Sequence, residues 1–415
     1  MSSWPTLSMA QITLLVTDGK HGDCEDEEGS GYFFLSSRDL RDGKLHYDKP
    51  RQITKSGFLE THRRTNLEPG DILLANCGAS IGRVGLAQDD PRICKTTFQK
   101  SVSVIKANKS IIDNRFLYYF ICHKSALLIR LGNGAAQPNL LIGDLKRIEV
   151  PVPPLPLQQR IAGILSAYDE LIENSQRRIK ILESMARALY REWFVHFRFP
   201  GHESVPRVPS PLGEIPKGWE IKMFGQIYNT CSGGTPSRKH PEYFESGIID
   251  WVKSQELLDR FILSTEEQIT AEAIANSSAK VLPPNTVLVA LYGATIGMLA
   301  ITSRSAATNQ ACCAVLPKLQ GFCREFAFLT LLTNRQRIIG LRLGAAQQNI
   351  SQVLLRNFEC IVPPTTIAAE FADRVSPLFD GILAYQQQIQ NLRRTRDLLL
   401  PRLLSGQIDV EAIAS

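Results

Sequence analysis

Residues 151–161 read Pro-Val-Pro-Pro-Leu-Pro-Leu-Gln-Gln-Arg-Ile, and no further proline occurs until Pro200. Apolar side chains recur at Leu157, Ile161, Ile164, Tyr168 and Leu171, and again at Ile179, Leu182, Ala186, Leu189 and Trp193. Alternating steps of four and three put them on one stripe of a helix, as in a coiled-coil seam. The prolines in front suit a helix start, because the first turn has no use for their missing N–H. About 40 residues at roughly 1.5 Å each give a rod near 60 Å. A small domain does not need a helix that long for its own core.

The stretch returns later in the chain. Ile361-Val362-Pro363-Pro364 repeats Pro151-Val152-Pro153-Pro154, and a second stripe follows at Ile367, Phe371, Leu378, Ile382, Tyr385, Ile389, Leu392, Leu399 and Leu403. Upstream, Gly344-Ala345-Ala346-Gln347-Gln348-Asn349-Ile350 repeats Gly134-Ala135-Ala136-Gln137-Pro138-Asn139-Leu140. Further upstream, Gly293-Ala294-Thr295-Ile296-Gly297 repeats Gly78-Ala79-Ser80-Ile81-Gly82. Matched blocks in one order point to duplication of a globular domain followed by a long helix. The division this predicts is 1–150 and 217–360 for the globular parts, 151–199 for the first long helix, 200–216 for a Pro/Gly/Ser-rich linker, and 361–415 for the second helix and C-terminal segment. The fold class is α+β, with the two helices packed antiparallel about an approximate internal two-fold axis.

Finer expectations follow from local signals. A turn at Pro69-Gly70 leads into a buried strand ending at Ala75, and 102–105 is a further strand. Residues 287–301 read as strand, tight turn and strand, and 145–152 as a last strand feeding the prolines. Helical periodicity covers 115–131 and 324–341. Thr366 suits the N-cap of the second long helix. Pro377, where the first copy has Ala167, predicts a kink or break, and Pro401 predicts an end or bend.

A length of 415 residues suits two or three domains, and 44% hydrophobic content supports real cores. Met1-Ser2-Ser3-Trp4-Pro5 lacks the basic-then-apolar order of a signal peptide. The most apolar run, 287–301, is short for a membrane span and is interrupted by Tyr292, Gly293, Thr295 and Gly297. Nine cysteines without a Cys-x-x-Cys pair argue against a disulfide framework, and Cys312, Cys313 and Cys323 have no nearby histidine to complete a metal site. The expected compartment is reducing cytoplasm. A net charge of +6 permits nucleic-acid binding without requiring it.

Catalytic motifs are hard to find. There is no Gly-x-x-x-x-Gly-Lys-Ser/Thr loop, no Gly-x-Gly-x-x-Gly after a strand, no Gly-x-Ser-x-Gly elbow and no His-Glu-x-x-His. The Pro-Pro pairs at 153–154, 283–284 and 363–364 lack the flanking residues of an amino-methyltransferase loop. Three groups could instead face a nucleic acid. The glycine turns, with Gly78 and Ser80 in one copy and Tyr292, Gly293 and Thr295 in the other, bring backbone close to a phosphate. A tight hairpin needing glycine for its own geometry fits them equally. Thr97 and Gln99, echoed by Thr308, Asn309 and Gln310, offer amides that suit an adenine edge, although solvated loops look the same. The loops holding Ser36, Ser37 and Arg38, and Lys253, Ser254 and Gln255, mix donors and acceptors as base readout requires. Arg393, Arg394 and Arg396 read as a solvated or protein-docking helix face.

Taken together, the repeat, the Gly-Ala-Thr-Ile-Gly block and the proline-led helices resemble the specificity subunit of type I restriction–modification enzymes over essentially the whole chain. In the second half, Gly213-Glu214-Ile215-Pro216-Lys217-Gly218-Trp219 is similar to the family's domain entry, and Ser232-Gly233-Gly234-Thr235-Pro236-Ser237-Arg238 to its first loop. Leu403-Leu404-Ser405-Gly406-Gln407-Ile408 is similar to its ending. The first half has Thr17-Asp18-Gly19-Lys20-His21-Gly22 in place of the Gly-Gly-Thr-Pro loop, which suggests that the two domains read different sequences. The resemblance implies a non-catalytic reader of double-stranded DNA in the cytoplasm of a bacterium or archaeon. Each globular part would be a target recognition domain for one half of a split asymmetric site, with Thr235, Ser237 and Arg238 joining the readout residues. The helices would be a spacer that docks two methyltransferase subunits, with restriction motor–nuclease subunits completing the complex. S-adenosylmethionine, ATP and Mg²⁺ would sit on those partners, and this chain would bind no cofactor and no metal. Rival readings are a two-domain protein-binding scaffold and a one-chain DNA methyltransferase.

Overall fold

The computed structural model describes residues 4–132, 139–340 and 349–410. Of the Gly-Ala-Ala-Gln repeat, 134–138 and 344–348 lie outside the described residues. The chain forms two compact units, residues 1–171 with 392–415, and residues 172–391. That division falls inside both long helices, Leu155–Phe194 and Thr365–Leu404. Each unit therefore holds one globular part and one portion of each helix, unlike the chain-order division read from the sequence.

In the first unit a four-stranded sheet runs in the order Thr13–Asp18, Val102–Ala107, Ile72–Ala75, Val84–Leu86, with all neighbours antiparallel. Phe33–Leu35 pairs in parallel with Thr96–Phe98. Thr6–Ser8 pairs antiparallel with Glu149–Pro151, so the chain's start is tied down just before the long helix. The helical stretch expected at 115–131 is two helices, Asn114–His123 and Ser125–Leu131, meeting at Lys124. Asp113 starts the first by accepting the N–H groups of Arg115 and Phe116. The strand expected over 145–152 is instead a helix, Ile142–Arg147, then the short strand. Leu145 reaches the core from that helix, so its apolar character does not mark a strand.

The second unit repeats this plan. Its main sheet runs Tyr228–Ser232, Cys312–Pro317, Val287–Ala290, Leu299–Thr302, Arg260–Ile262, with only the last pair parallel. Ile249–Val252 pairs in parallel with Ala306–Thr308, and Glu220–Met223 pairs antiparallel with Glu359–Val362. The helical stretch expected at 324–341 is two helices, Arg324–Thr333 and Arg335–Gly340. Residues 200–216 are not a loose tether. They contain a hairpin pairing Arg207–Val208 with Ile215–Pro216, and the flanking Phe197 and Phe199 each lie 5.3 Å from the Trp219 ring.

Both cores include the long helices. In the first unit, Ile72, Leu74, Phe116 and Phe120 pack with Ile161 and Leu165 of the first helix and Leu403 and Leu404 of the second. In the second, Val287, Val289 and Phe326 pack with Tyr190, Trp193 and Phe194 of the first helix and Phe371, Val375 and Phe379 of the second. Full burial stabilises each such side chain by about 1.5–3 kcal/mol, which is ample reason for helices this long. They run antiparallel within each unit. Asp169 pairs with Arg396 in the first. In the second, Ser175 meets Gln388 and the Arg178 guanidinium donates to the Tyr385 hydroxyl at 2.8 Å. The seam differs slightly from the stripe read in the sequence: Leu171 is 47% exposed, and its neighbour Ile172 is buried. The second helix runs unbroken through Pro377 and through Pro401 to Leu404. Pro377 and Asp373, the residue one turn before it, are both exposed, so water can take the place of the lost backbone bond. Among the described residues no helix is long and apolar enough to cross a membrane.

Candidate nucleic-acid interface

The three polar groups singled out in the sequence come together at one end of the main sheet in each unit. In the first unit the turn at 36–39 is closed by its own acid, with Asp39 Oδ2 accepting from the Ser36 N–H at 2.8 Å and from the Ser36 hydroxyl at 3.0 Å. The neighbouring turn at 99–102 is fixed by the Val102 N–H donating to the Gln99 carbonyl. The Gln99 N–H donates to the Leu35 carbonyl, and the Ser37 N–H to Ser101 Oγ, so the two turns are tied side by side. The Asn76 N–H donates to the Ser101 carbonyl, which brings in the glycine turn Gly78–Ser80. Cys77 bridges to Asn139.

The second unit builds the same frame from different side chains. Glu256 Oε2 accepts from the Lys253 N–H at 2.7 Å. The Asn309 N–H donates to the Val252 carbonyl, and the Cys312 N–H to the Asn309 carbonyl. The Leu291 N–H donates to the Ala311 carbonyl, and Tyr292 bridges to Asn349. This register pairs Gln99 with Asn309 and Lys100 with Gln310. The letter match of Thr97 with Thr308 is one residue out.

Gly19 and Gly233 confirm the register. A Cβ on Gly19 would lie 2.2 Å from the Phe98 carbonyl oxygen, and one on Gly233 would lie 2.3 Å from the Thr308 carbonyl oxygen. Asp18-Gly19-Lys20 therefore occupies the place of Ser232-Gly233-Gly234, although the first half lacks the Gly-Gly-Thr-Pro motif. Gly78 and Gly293 differ in kind. Their φ values are +66° and +83°, and nothing lies within 4 Å of where a Cβ would stand. The turn itself demands glycine there, and the open side leaves its backbone accessible.

The predicted readout residues do not all reach the surface. Thr97 and Thr308 are fully buried, and Ser37 nearly so. Burial withdraws all three from direct contact with a ligand. The Thr97 and Thr308 hydroxyls are also without hydrogen-bond partners. Arg38, Gln255, Gln310, Thr235, Ser237 and Arg238 are exposed, and Ser36, Gln99, Lys253, Ser254, Asn309, Ser80 and Thr295 are half-buried. Two cations in the second unit are already engaged. Arg238 lies 4.0 Å from the Phe244 ring centroid and pairs with Glu267 at 2.7 Å. The Lys253 ammonium binds Glu266 at 2.7 Å and Glu267 at 3.1 Å, and the Glu266 bond holds its pKa above the usual lysine value. Burial raises the Tyr292 hydroxyl, with the Gln310 amide beside it opposing this. Arg38 and Lys100 make no ion pair among the described residues.

Lys100 and the paired Asn139 and Asn349 lie at the same sheet end and were not among the readers singled out in the sequence. Register, not residue type, reveals Lys100, while the two asparagines stood in the sequence at the last position but one of the repeated block. Arg393 and Arg394 are exposed, but Arg396 is half-buried in its pair with Asp169 and is part of the helix packing. Cys312 is buried in the sheet and the Cys323 sulfur accepts from the Phe326 N–H, with burial pushing the Cys313 and Cys323 thiols up to about 12. Among the described residues no group of three or more His, Cys, Asp or Glu could hold a metal ion.

Comparison with known proteins places this duplicated frame. The profile of the family described as type I restriction modification DNA specificity domain matches residues 20–184 and again 216–394. The chain belongs to that family, and the two matched stretches are tandem copies of its DNA specificity domain. Among relatives, the specificity subunit of the type I restriction enzyme MjaIX from Methanocaldococcus jannaschii is 28% identical over 368 residues, covering 88% of this chain and 83% of that protein. The HindI specificity subunit from Haemophilus influenzae is 23% identical over 442 residues, covering 90% and 94%. The crystal structure of the S subunit of a type I system from M. genitalium shares the fold, with a TM-score of 0.60 at 16% identity over 96% of each chain.

Proposed function

We propose that this chain is the non-catalytic, DNA-reading subunit of a type I restriction–modification complex, with each unit reading one half of a split asymmetric site. The observation that carries this reading is the convergence of polar turns on one sheet end in both units, with an equivalent backbone frame and different exposed side chains. Equal frames suit the repeated geometry of duplex DNA, and unequal side chains suit two different half-sites. The glycine turns at Gly78 and Gly293 approach phosphates through backbone N–H groups, and the exposed ends of the adjoining turns meet base edges in the major groove. Methyl transfer and cleavage belong to the partners. In this reading S-adenosylmethionine, ATP and Mg²⁺ are held by two methyltransferase subunits and by restriction motor–nuclease subunits in the cytoplasm, and none is held by this chain. Ile181 and Met185, one helical turn apart and 59% and 50% exposed, give the first long helix an apolar outer strip on which a methyltransferase subunit can dock.

The test is binding of the chain, co-purified with its methyltransferase subunit, to duplex DNA over a range of salt. Reading of DNA predicts affinity that falls steeply and linearly in log–log form, because phosphate contacts release counterions. Salt-independent binding, or none, would leave a protein scaffold. Methyl transfer by the chain free of any partner would overturn its non-catalytic role.

A further inference from the structure

We infer that the two units read different bases through one pair of equivalent positions, Arg38 and Lys100 in the first and Gln255 and Gln310 in the second. The inference rests on the DNA-reading function proposed above and adds a rule for which bases are read. Arg38 and Gln255 are each the third residue of a turn closed by an acid at its fourth position, Asp39 or Glu256, whose carboxylate accepts from the N–H of the first. Both are exposed, and the residue two places on, Leu40 or Leu257, is buried in each case. Lys100 and Gln310 are each the residue after the one whose N–H donates to the strand end, Gln99 to Leu35 and Asn309 to Val252. Both are exposed as well. The first unit thus presents two cations where the second presents two amides, on backbones held by the same hydrogen bonds.

This difference has a direct chemical meaning in a major groove. Guanine shows two acceptors, O6 and N7, which suit an arginine fork or a lysine ammonium. Adenine shows an N7 acceptor and an N6 donor, which suit the paired acceptor and donor of a glutamine amide. The half-site read by the first unit is therefore specified by guanine at the contacted positions, and that read by the second by adenine. Arg38 and Lys100 are free for this role, because neither makes an ion pair among the described residues. The nearby Lys253 and Arg238 are instead tied by ion pairs to Glu266 and Glu267, whereas Gln255 beside Glu266 and Gln310 beside the Tyr292 hydroxyl are exposed amides, each with one such contact to exchange for a base edge.

The experiment co-expresses the full chain with its methyltransferase subunits and maps methylated adenines across the host genome. Wild type, R38Q/K100Q and the milder R38K are compared. The expected result for R38Q/K100Q is a first half-site whose guanine preference falls by about 5- to 150-fold in favour of adenine at one or two positions. The second half-site and the gap should not change. R38K keeps the charge and loses the fork, so it should relax guanine preference at one position only. A first half-site with unchanged bases and lower occupancy at every site would overturn the inference, because it would make these cations phosphate contacts. If the variant complex fails to assemble, R38K decides alone, and an unchanged guanine preference there counts against the inference. Failure of the underlying DNA-reading function would look different, since wild type itself would then yield no motif.

Discussion

Asp39 and Glu256 close the turns that carry the proposed readers Arg38 and Gln255. Each closes its turn with one charge-assisted bond to a backbone N–H, the kind that is stronger than a neutral bond. Asp39→Ala is expected to cost about 0.5–1.5 kcal/mol of local stability and to blur the first half-site while leaving the second intact. Methylation mapping beside thermal unfolding checks both effects, and equal loss in both halves would show that Asp39 acts on the fold as a whole. The acid is visible in the sequence at both turns, but its purpose is not, because a surface aspartate and a turn-closing one look alike. Thr97 and Thr308 show the opposite limit. Their identity suggested a shared role, whereas Thr97 is buried in the middle of its strand, Thr308 at the end of its own, and the true register is one residue off. Only the bridge pairs reveal such a slip, since a one-residue shift turns every side chain to the other face. Glu183 gives a pH test. Burial raises its pKa above the ordinary 4.5. The folded state thus holds the proton more tightly than the unfolded state, so this contribution to stability is full below pH 4.5 and is lost as pH rises through the folded value. Glu183→Gln should flatten that part of the stability–pH curve measured by thermal unfolding, and an unchanged curve would assign the slope to other groups.

At the scale of elements, the long helices are held by polar groups as well as by the apolar seam. Arg396 Nη1 donates to Asp169 Oδ1 at 2.5 Å, and the Tyr119 hydroxyl donates to Asp169 Oδ2 at 2.6 Å. One carboxylate thus joins both helices to the helix Asn114–His123. Burial alone would lower the Arg396 pKa, but the bond to Asp169 and its charge, helped by Asp397, outweigh this and hold the guanidinium protonated, while burial first and the Asp169 bond second push the Tyr119 hydroxyl well above its ordinary range. Asp169→Ala should cost about 1–3 kcal/mol, as the buried Tyr119 and the half-buried Arg396 lose their acceptor. Asp169→Asn should recover part of this by keeping an oxygen toward Tyr119. Chemical denaturation of the three proteins checks the order. The stripe of apolar residues was legible because its period is long and regular, while the exact seam drifted by a residue, with Ile172 replacing Leu171. Pro377 predicts a kink or break because proline lacks an N–H, and of these two the break does not occur. The helix passes through it on the exposed side, where the freed carbonyl can meet water. Pro377→Ala is therefore expected to raise stability, by up to about 3 kcal/mol, and a loss would show that the residue is needed for the helix path.

At the scale of the whole molecule, the sequence assigned each long helix to the domain before it, and the compact units divide them differently. Trp193 and Phe194 follow the first globular part in the chain but lie in the core of the second unit, and Leu403, Leu404 and Val410 follow the second globular part but lie in the core of the first. Periodicity could identify the helices but could not say which core each end fills, because that depends on long-range packing. Deleting residues 392–415 should consequently loosen the first unit, where Trp4 packs against Gly406, and spare the second. Hydrogen exchange would show protection lost in the strands around Ile72 and Ile105 and kept around Leu288 and Ala314, and the reverse pattern would contradict this division. The central claim is that one chain carries two unlike readers. It is tested most directly by mapping methylated adenines in cells that express the wild-type chain with its methyltransferase subunits. The predicted result is a single motif of two different short blocks separated by an unspecified gap. A palindromic motif, a single continuous block, or methylation without sequence preference would contradict it.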